Sequence, residues 1–254
     1  MITRNEIPGM GERYSSFVIP AIDIMEGKCV RLSRGDYRQR TTYAEKPLEV
    51  AKRFQAAGFR RLHLVDLEGA RLGQVTNWAV LETLASHTSL AIDFSGGVRS
   101  EQDIRRVFDA GASWVCIGSL AQSDPEKTTA WLHQYGGERL IIAVDTRDEH
   151  VAIQGWQRDT RTTIYALIET YLPLLRHVMC TDISRDGMME GPGLPLYRKL
   201  KERFPELHII ASGGVHTLSD VEQLAAIGLS GVIVGKALYA DREPFTVHGQ
   251  QFKI

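Results

Sequence analysis

The chain has 254 residues, a formal net charge of −1, and 43% hydrophobic against 24% charged residues. That length suits one large domain or two small ones, and the near-neutral charge excludes a broad basic face for nucleic acid. No run of 18 apolar residues is present to span a membrane, and Cys29, Cys116 and Cys180 sit apart in apolar runs, so they read as buried thiols of a cytoplasmic protein and not as a disulfide frame or zinc site.

Residues 1–16 lack an apolar h-region and read as a flexible extension before a domain running from 17 to 254. The first strand pattern, FVIPAID (17–23), ends at Asp23. After it, VRLSRGDYRQRTTY reads as a long mobile loop whose Arg31, Arg34, Arg38 and Arg40 contact a phosphate or close a site. A helix pattern follows from Pro47 to Gly58, then the strand RLHLVDL (61–67), the helix NWAVLETLAS and the strand LAIDF (90–94). SEQDIRRVFDAG reads as a helix with Ser100 and Asp103 as a loose capping box. The strand SWVCIG (113–118), the helix DPEKTTAWLHQYG and the strand RLIIAVD (139–145) come next. Three more strand patterns close the series, HVMCTD (177–182), LHIIAS (207–212) and SGVIVG (230–235), with the helix TLSDVEQLAAIG before the last. Only 15 residues follow Tyr239, so a closing helix there is short or remade. Eight short Ile/Val/Leu-rich runs alternating with amphipathic segments, with no linker, predict an α/β fold: one (βα)8 barrel.

The chain repeats itself. FSGGVRSEQDIRRVFDAGASWVCIGSL aligns without a gap on ASGGVHTLSDVEQLAAIGLSGVIVGKA, 117 residues later. Asp23 likewise matches Asp145, and Asp66 matches Asp182, so the barrel consists of two similar half-barrels. Gly96–Gly97 and Gly118–Ser119 in one half, and Gly213–Gly214 and Gly235–Lys236 in the other, follow strands at the face where barrel enzymes bind their substrates. Glycine backbone there lets N–H groups approach an anion. Two copies predict a ligand with a phosphate at each end, with Arg99 beside the first turn and Lys236 beside the last.

Between the two turns, Asp23 and Asp145 end opposing strands, an arrangement suited to general acid and general base work. Asp186 in TDISRDG is a third candidate, with Thr181 nearby. No nucleophile elbow, Cys–His pair, dinucleotide fingerprint or metal-ligand spacing appears. The expectation is proton transfer without cofactor or metal: an isomerisation.

PAIDIMEGKCVRL, HLVDLEGA, SGGVRS, TDISRDGMMEGPG and ASGGV…GVIVGKAL, from about Val18 to Tyr239, resemble the histidine-biosynthesis isomerase family that acts on the ribotide ProFAR. The resemblance implies an Amadori rearrangement of a bis-phosphorylated aminoaldose to an aminoketose, by a monomer. A general acid protonates the ring oxygen and a general base removes the C2′ proton. Asp23 is similar to the family's base and Asp145 to its acid, with the choice between Asp145 and Asp186 left open. Trp156 in IQGWQ resembles the family's loop tryptophan that stacks on the imidazole. The family's usual third glycine after the third strand is Ser95 here. Rival readings are an isomerase that also accepts phosphoribosyl anthranilate, the sister cyclase of the same pathway, and a non-catalytic bis-phosphate-binding barrel. Arg31, where the cyclase carries a catalytic lysine, speaks against the cyclase.

Overall fold

The computed structural model describes residues 12–33, 36–44, 46–153, 155–156, 158–239, 246–247 and 250–251. In chain order its strands are β1 (Val18–Met25), β2 (Lys28–Ser33), β3 (Asp36–Ala44), β4 (Arg61–Asp66), β5 (Ala91–Ser95), β6 (Trp114–Ile117), β7 (Gly137–Arg147), β8 (His150–Ile153), β9 (Arg158–Thr163), β10 (Leu175–Asp182), β11 (His208–Ser212) and β12 (Gly231–Val234). The helices are α1 (Glu12–Ser15), α2 (Pro47–Ala56), α3 (Leu67–Leu72), α4 (Trp78–His87), α5 (Glu101–Asp109), α6 (Ser119–Ser123), α7 (Pro125–Tyr135), α8 (Ile164–Tyr171), α9 (Leu194–Arg203) and α10 (Leu218–Ala226). Strands β1, β4, β5, β6, β7, β10, β11 and β12 pair in parallel, in that order, and β12 returns to β1. The ring is a closed (βα)8 barrel, with one strand for each run read from the sequence.

Local chemistry explains the boundaries. Pro47 and Pro125 open α2 and α7, where a missing N–H costs nothing. Ser100 with Asp103, and Thr217 with Asp220, form complete capping boxes on α5 and α10, repeating the device in both halves. Leu67, expected to end a strand, instead starts α3, because the Asp66 carboxylate accepts from the Gly69 N–H and caps the turn.

Strand alternation sends every second side chain inward. Ile19, Ala21, Cys116, Ile141, Met179, Ile210 and Ile233 pack together in one cluster inside the ring. The larger core, including Phe54, Tyr171 and Tyr197, lies between strands and helices. Burying each large apolar side chain contributes about 1.5–3 kcal/mol before entropy is charged. The Tyr197 hydroxyl bonds the Ser212 carbonyl at 2.8 Å, tying α9 to the end of β11.

The expected mobile loop after the first strand is a β-hairpin instead: β2 pairs antiparallel with β1 and with β3. A second hairpin, β8 and β9, extends β7 in the same way. Each begins with a two-residue turn holding both φ angles positive, Glu26–Gly27 (52°, 74°) and Asp148–Glu149 (49°, 66°). That is the turn whose twist suits a hairpin. Asp23 and Asp145 therefore do not end their strands. They sit two residues before the ends, paired with Val30 and Ala152. The tail of the N-terminal extension forms α1, and the Arg60 N–H donates to the Ser15 carbonyl. After β12 the described residues show one 3-10 turn, Lys236–Leu238, and a two-residue antiparallel pairing of Thr246–Val247 with Gln250–Gln251.

Candidate active site

At the C-terminal ends of the barrel strands lies a cavity of about 750 Å³. Asp23, Asp145, Thr181, Asp186, Trp156, Gly96, Gly97, Arg99, Gly118, Ser119, Gly213, Gly214, Gly235 and Lys236 all line it. Arg34 and the Arg38 side chain lie outside the described residues. Arg40 is drawn to Glu26 at 3.2 Å, away from the cavity's glycine turns.

The paired glycines have a packing reason. A Cβ on Gly96 would lie 2.1 Å from the Asp66 carbonyl oxygen, and one on Gly97 2.5 Å from the Gln74 backbone. The second half repeats this: Gly213 faces the Asp182 carbonyl at 2.5 Å and Gly214 faces Gly191 at 2.4 Å. All four have φ between 80° and 106°. They therefore let one loop press on the next. Gly118 differs, since a Cβ there meets nothing within 4 Å. At Gly235 a Cβ would meet first the Arg31 guanidinium, at 2.6 Å. Both glycines precede a short helical turn with no side-chain cap, which leaves N–H groups for a ligand.

The loop aspartates divide by role. Asp66 is fully buried and accepts from the N–H groups of Gly69, Thr76 and Asn77, the Thr76 hydroxyl and the Asn77 amide. Its repeat partner Asp182 accepts from Ser184 N–H at 3.2 Å and from the Ser184 hydroxyl. These two shape loops, and Asp23 and Asp145 face the cavity.

β1 and β7 are four places apart in the ring of eight, so Asp23 and Asp145 oppose each other. Burial pushes the Asp23 carboxyl above the usual carboxylate range, against the pull of Arg31 and His63. Burial also raises Asp145, opposed by hydrogen bonds from Trp156 and Thr181. Among the described residues, the guanidinium beside Asp23 is that of Arg31, at 3.6 Å, and the same group stands 3.2 Å from Asp186. Asp186 thus partners Arg31, whereas Thr181, expected beside it, hydrogen-bonds Asp145. Lys236 donates to the Gly187 carbonyl at 2.8 Å, clasping the loop that carries Asp186.

Residues 17–243 match the model of a family described as histidine biosynthesis protein. The chain belongs to that family. It is 46% identical over 226 residues to a Cytophaga hutchinsonii protein, covering 89% of this chain and 94% of the relative. Relatives from Parabacteroides distasonis and Bacteroides thetaiotaomicron are 47% and 48% identical over 223 residues, each covering 87% of this chain and 93% of the relative. All three bear the name 1-(5-phosphoribosyl)-5-((5-phosphoribosylamino)methylideneamino) imidazole-4-carboxamide isomerase.

This member of the histidine biosynthesis family has polar residues at its site that no motif singles out. The His63 Nδ1 and an Asp93 carboxylate oxygen form a very close hydrogen bond inside the barrel. The Cys116 thiol donates to the same oxygen at 3.5 Å, and Arg61 stands 4.0 Å from the other. The sequence signal for them is position: Arg61, His63 and Asp93 are polar side chains inside apolar strand runs, at inward-facing places. Among the described residues, His63, Asp93 and Cys116 are the one group whose ligand-type atoms lie within 4.8 Å of one another. The Arg61 guanidinium places a positive charge beside this group.

Proposed function

We propose that this histidine biosynthesis protein isomerises ProFAR, rearranging its aminoaldose to an aminoketose by general acid and base catalysis. The observation that carries the reading is the pair Asp23 and Asp145, opposed across a cavity with a glycine turn pair on each side. The relatives' names contain two phosphoribosyl groups, which suits two anion-binding turns. One phosphate lies at Gly96–Gly97 and Gly118–Ser119, with Arg99. The other lies at Gly213–Gly214 and Gly235–Lys236.

The division of labour follows from the surroundings. An acid must hold its proton near neutral pH and a base must not. Asp23 has the Arg31 guanidinium 3.6 Å away, which favours its charged form, so it is the base at C2′. Asp145 has no cation in contact among the described residues, and burial raises it against the pull of its hydrogen bonds from Trp156 and Thr181. It is the acid that protonates the ring oxygen. Arg31, lying over Gly235 and bridging to Asp186, is released to a phosphate when one arrives at that turn. Trp156 presents its ring to the imidazole.

We read the domain as one barrel from residue 17 onward, acting as a cytoplasmic monomer. The large exposed apolar side chains among the described residues are Tyr43 on β3, Leu72 at the end of α3 and Leu172 just after α8. All three cysteines are free and buried, and no described helix is long and apolar enough to cross a membrane. The test is incubation of the purified protein with ProFAR and, separately, with phosphoribosyl anthranilate, following each product. Conversion of the first supports the reading, conversion of both widens it, and conversion of neither overturns it.

A further inference from the structure

The buried pair under the cavity carries an inference about how the base, Asp23, is kept ready. Asp93 is fully buried on β5, and one of its oxygens has no hydrogen-bond partner. Its other oxygen takes the His63 Nδ1. A carboxylate placed so deep is costly unless a charge answers it. The groups facing the His63 ring are Asp93 on β5, Arg61 on its own strand, Asp23 on β1 and Asp145 on β7. Cys116 on β6 bonds Asp93, and Arg31 and Asp186 lie beyond Asp23. His63 itself lines the cavity floor together with Asp23 and Asp145.

The charges on this floor do not balance without His63. Three carboxylates, Asp23, Asp145 and Asp186, face the cavity, and Arg31 answers two of them. Asp145 has no guanidinium or ammonium in contact among the described residues. That suits an acid, which keeps its proton; Asp23, the base, shares Arg31 with Asp186, and an imidazolium beneath it supplies the charge it lacks.

We propose that Asp93 is a positioning residue that holds the His63 ring fixed and doubly protonated, so that a permanent positive charge lies under the base, Asp23. Burial alone would neutralise His63, but the charge and hydrogen bond of Asp93 outweigh it, and the ring's affinity for its proton is raised. His63 in turn favours the charged form of Asp23, whereas its pull on Asp145 is the smallest influence there and burial keeps that carboxyl raised. Arg61 sharpens the dependence: with Asp93 neutral, its guanidinium repels a charged imidazole without compensation.

The inference rests on the reading of Asp23 and Asp145 as the groups that exchange protons with the substrate, and its test has two arms. In the unaltered protein, the ring-nitrogen chemical shifts of His63 should be those of an imidazolium at pH 7. A neutral ring overturns the proposal whether or not the protein turns over ProFAR. In Asp93→Asn, the acid limb of kcat/KM against pH should move up by about one unit, lowering the rate on that limb about tenfold. Activity should return to within about threefold of the original at high pH, as expected when only the charge of a positioned group has changed. Asp93→Glu, which keeps the charge, should keep the original limb. A profile that drops evenly at every pH without moving assigns Asp93 to packing alone. If Asp93→Asn does not fold, the spectrum of the unaltered protein decides.

Discussion

Replacing Asp66 with Ala should be among the most damaging single changes in the loops, although Asp66 does not line the cavity. Its carboxylate accepts from Gly69 N–H at 2.8 Å, Thr76 N–H at 2.7 Å, Asn77 N–H at 2.9 Å, the Thr76 hydroxyl at 3.0 Å and the Asn77 amide at 2.8 Å. Hydrogen bonds to a charged group contribute about 1.5–3 kcal/mol each, and a buried donor left unpaired costs about 1–3 kcal/mol. Water entering the gap satisfies some donors, so a loss of about 3–5 kcal/mol is expected. For a chain of this size that lowers Tm by roughly 6–20 °C. Asp182→Ala removes bonds to one residue, Ser184, and a 3.5 Å contact with Arg185, and should cost less than half as much. Urea denaturation of both variants measures the difference directly. Equal costs, or a loss at Asp66 under about 1 kcal/mol, would refute the idea that the count of buried donors sets the penalty.

Three further outcomes follow from the same geometry. Gly97→Ala and Gly214→Ala should each destabilise by several kcal/mol, because a Cβ meets backbone at 2.4–2.6 Å and φ is near 80°, whereas Gly118→Ala should fold normally and weaken inorganic phosphate binding, with calorimetric titration and thermal melts separating the two effects. Trp156→Ala should weaken substrate binding by roughly 1–3 kcal/mol if the ring stacks, and Trp156→Phe, which lacks the indole N–H that reaches Asp145, should keep most of that binding yet move the Asp145 titration upward; unchanged KM and kcat in the alanine variant would leave Trp156 as rim packing. Burial raises both Asp23 and Asp145, so the folded state holds protons that the unfolded chain has released above about pH 4, and stability contributed by these groups falls as pH rises through their folded values. Asp23→Asn and Asp145→Asn should therefore each raise Tm at neutral pH, and a lowered Tm would mean that Arg31 and the neutral donors more than offset burial.

How much of this was legible beforehand depended on which physical signal each feature left. The eight strands announced themselves as apolar runs, because strands covered on both faces bury every side chain. The half-barrel repeat could be read by alignment of the chain on itself, and its loops do repeat, down to the capping boxes at Ser100 and Thr217. The hairpins were hidden. Arg-rich DYRQRTTY has no apolar face to bury, and Glu26 and Glu149 are unusual residues for a turn with positive φ. What makes β2 and β8 strands is pairing with β1 and β7, a tertiary effect. Arg31 was visible as one of four arginines, but its place between Asp23 and Asp186 depends on that hairpin. His63 and Asp93 were obscured because each is a single polar residue in an apolar strand, and only closure of the barrel brings β4 beside β5 in register, with His63 opposite Asp93.

The claim that two opposed carboxylates run the reaction is tested most directly by the turnover of Asp23→Asn at saturating ProFAR. Substitution of an inward-facing carboxylate by its amide isostere leaves the barrel core in place, and the loss of a positioned base should lower kcat by at least ~10²-fold with substrate still bound. A folded Asp23→Asn protein that turns over ProFAR within about threefold of the original rate would contradict the account, and an Asp186→Asn protein without activity beside it would move the base to the loop carrying Asp186.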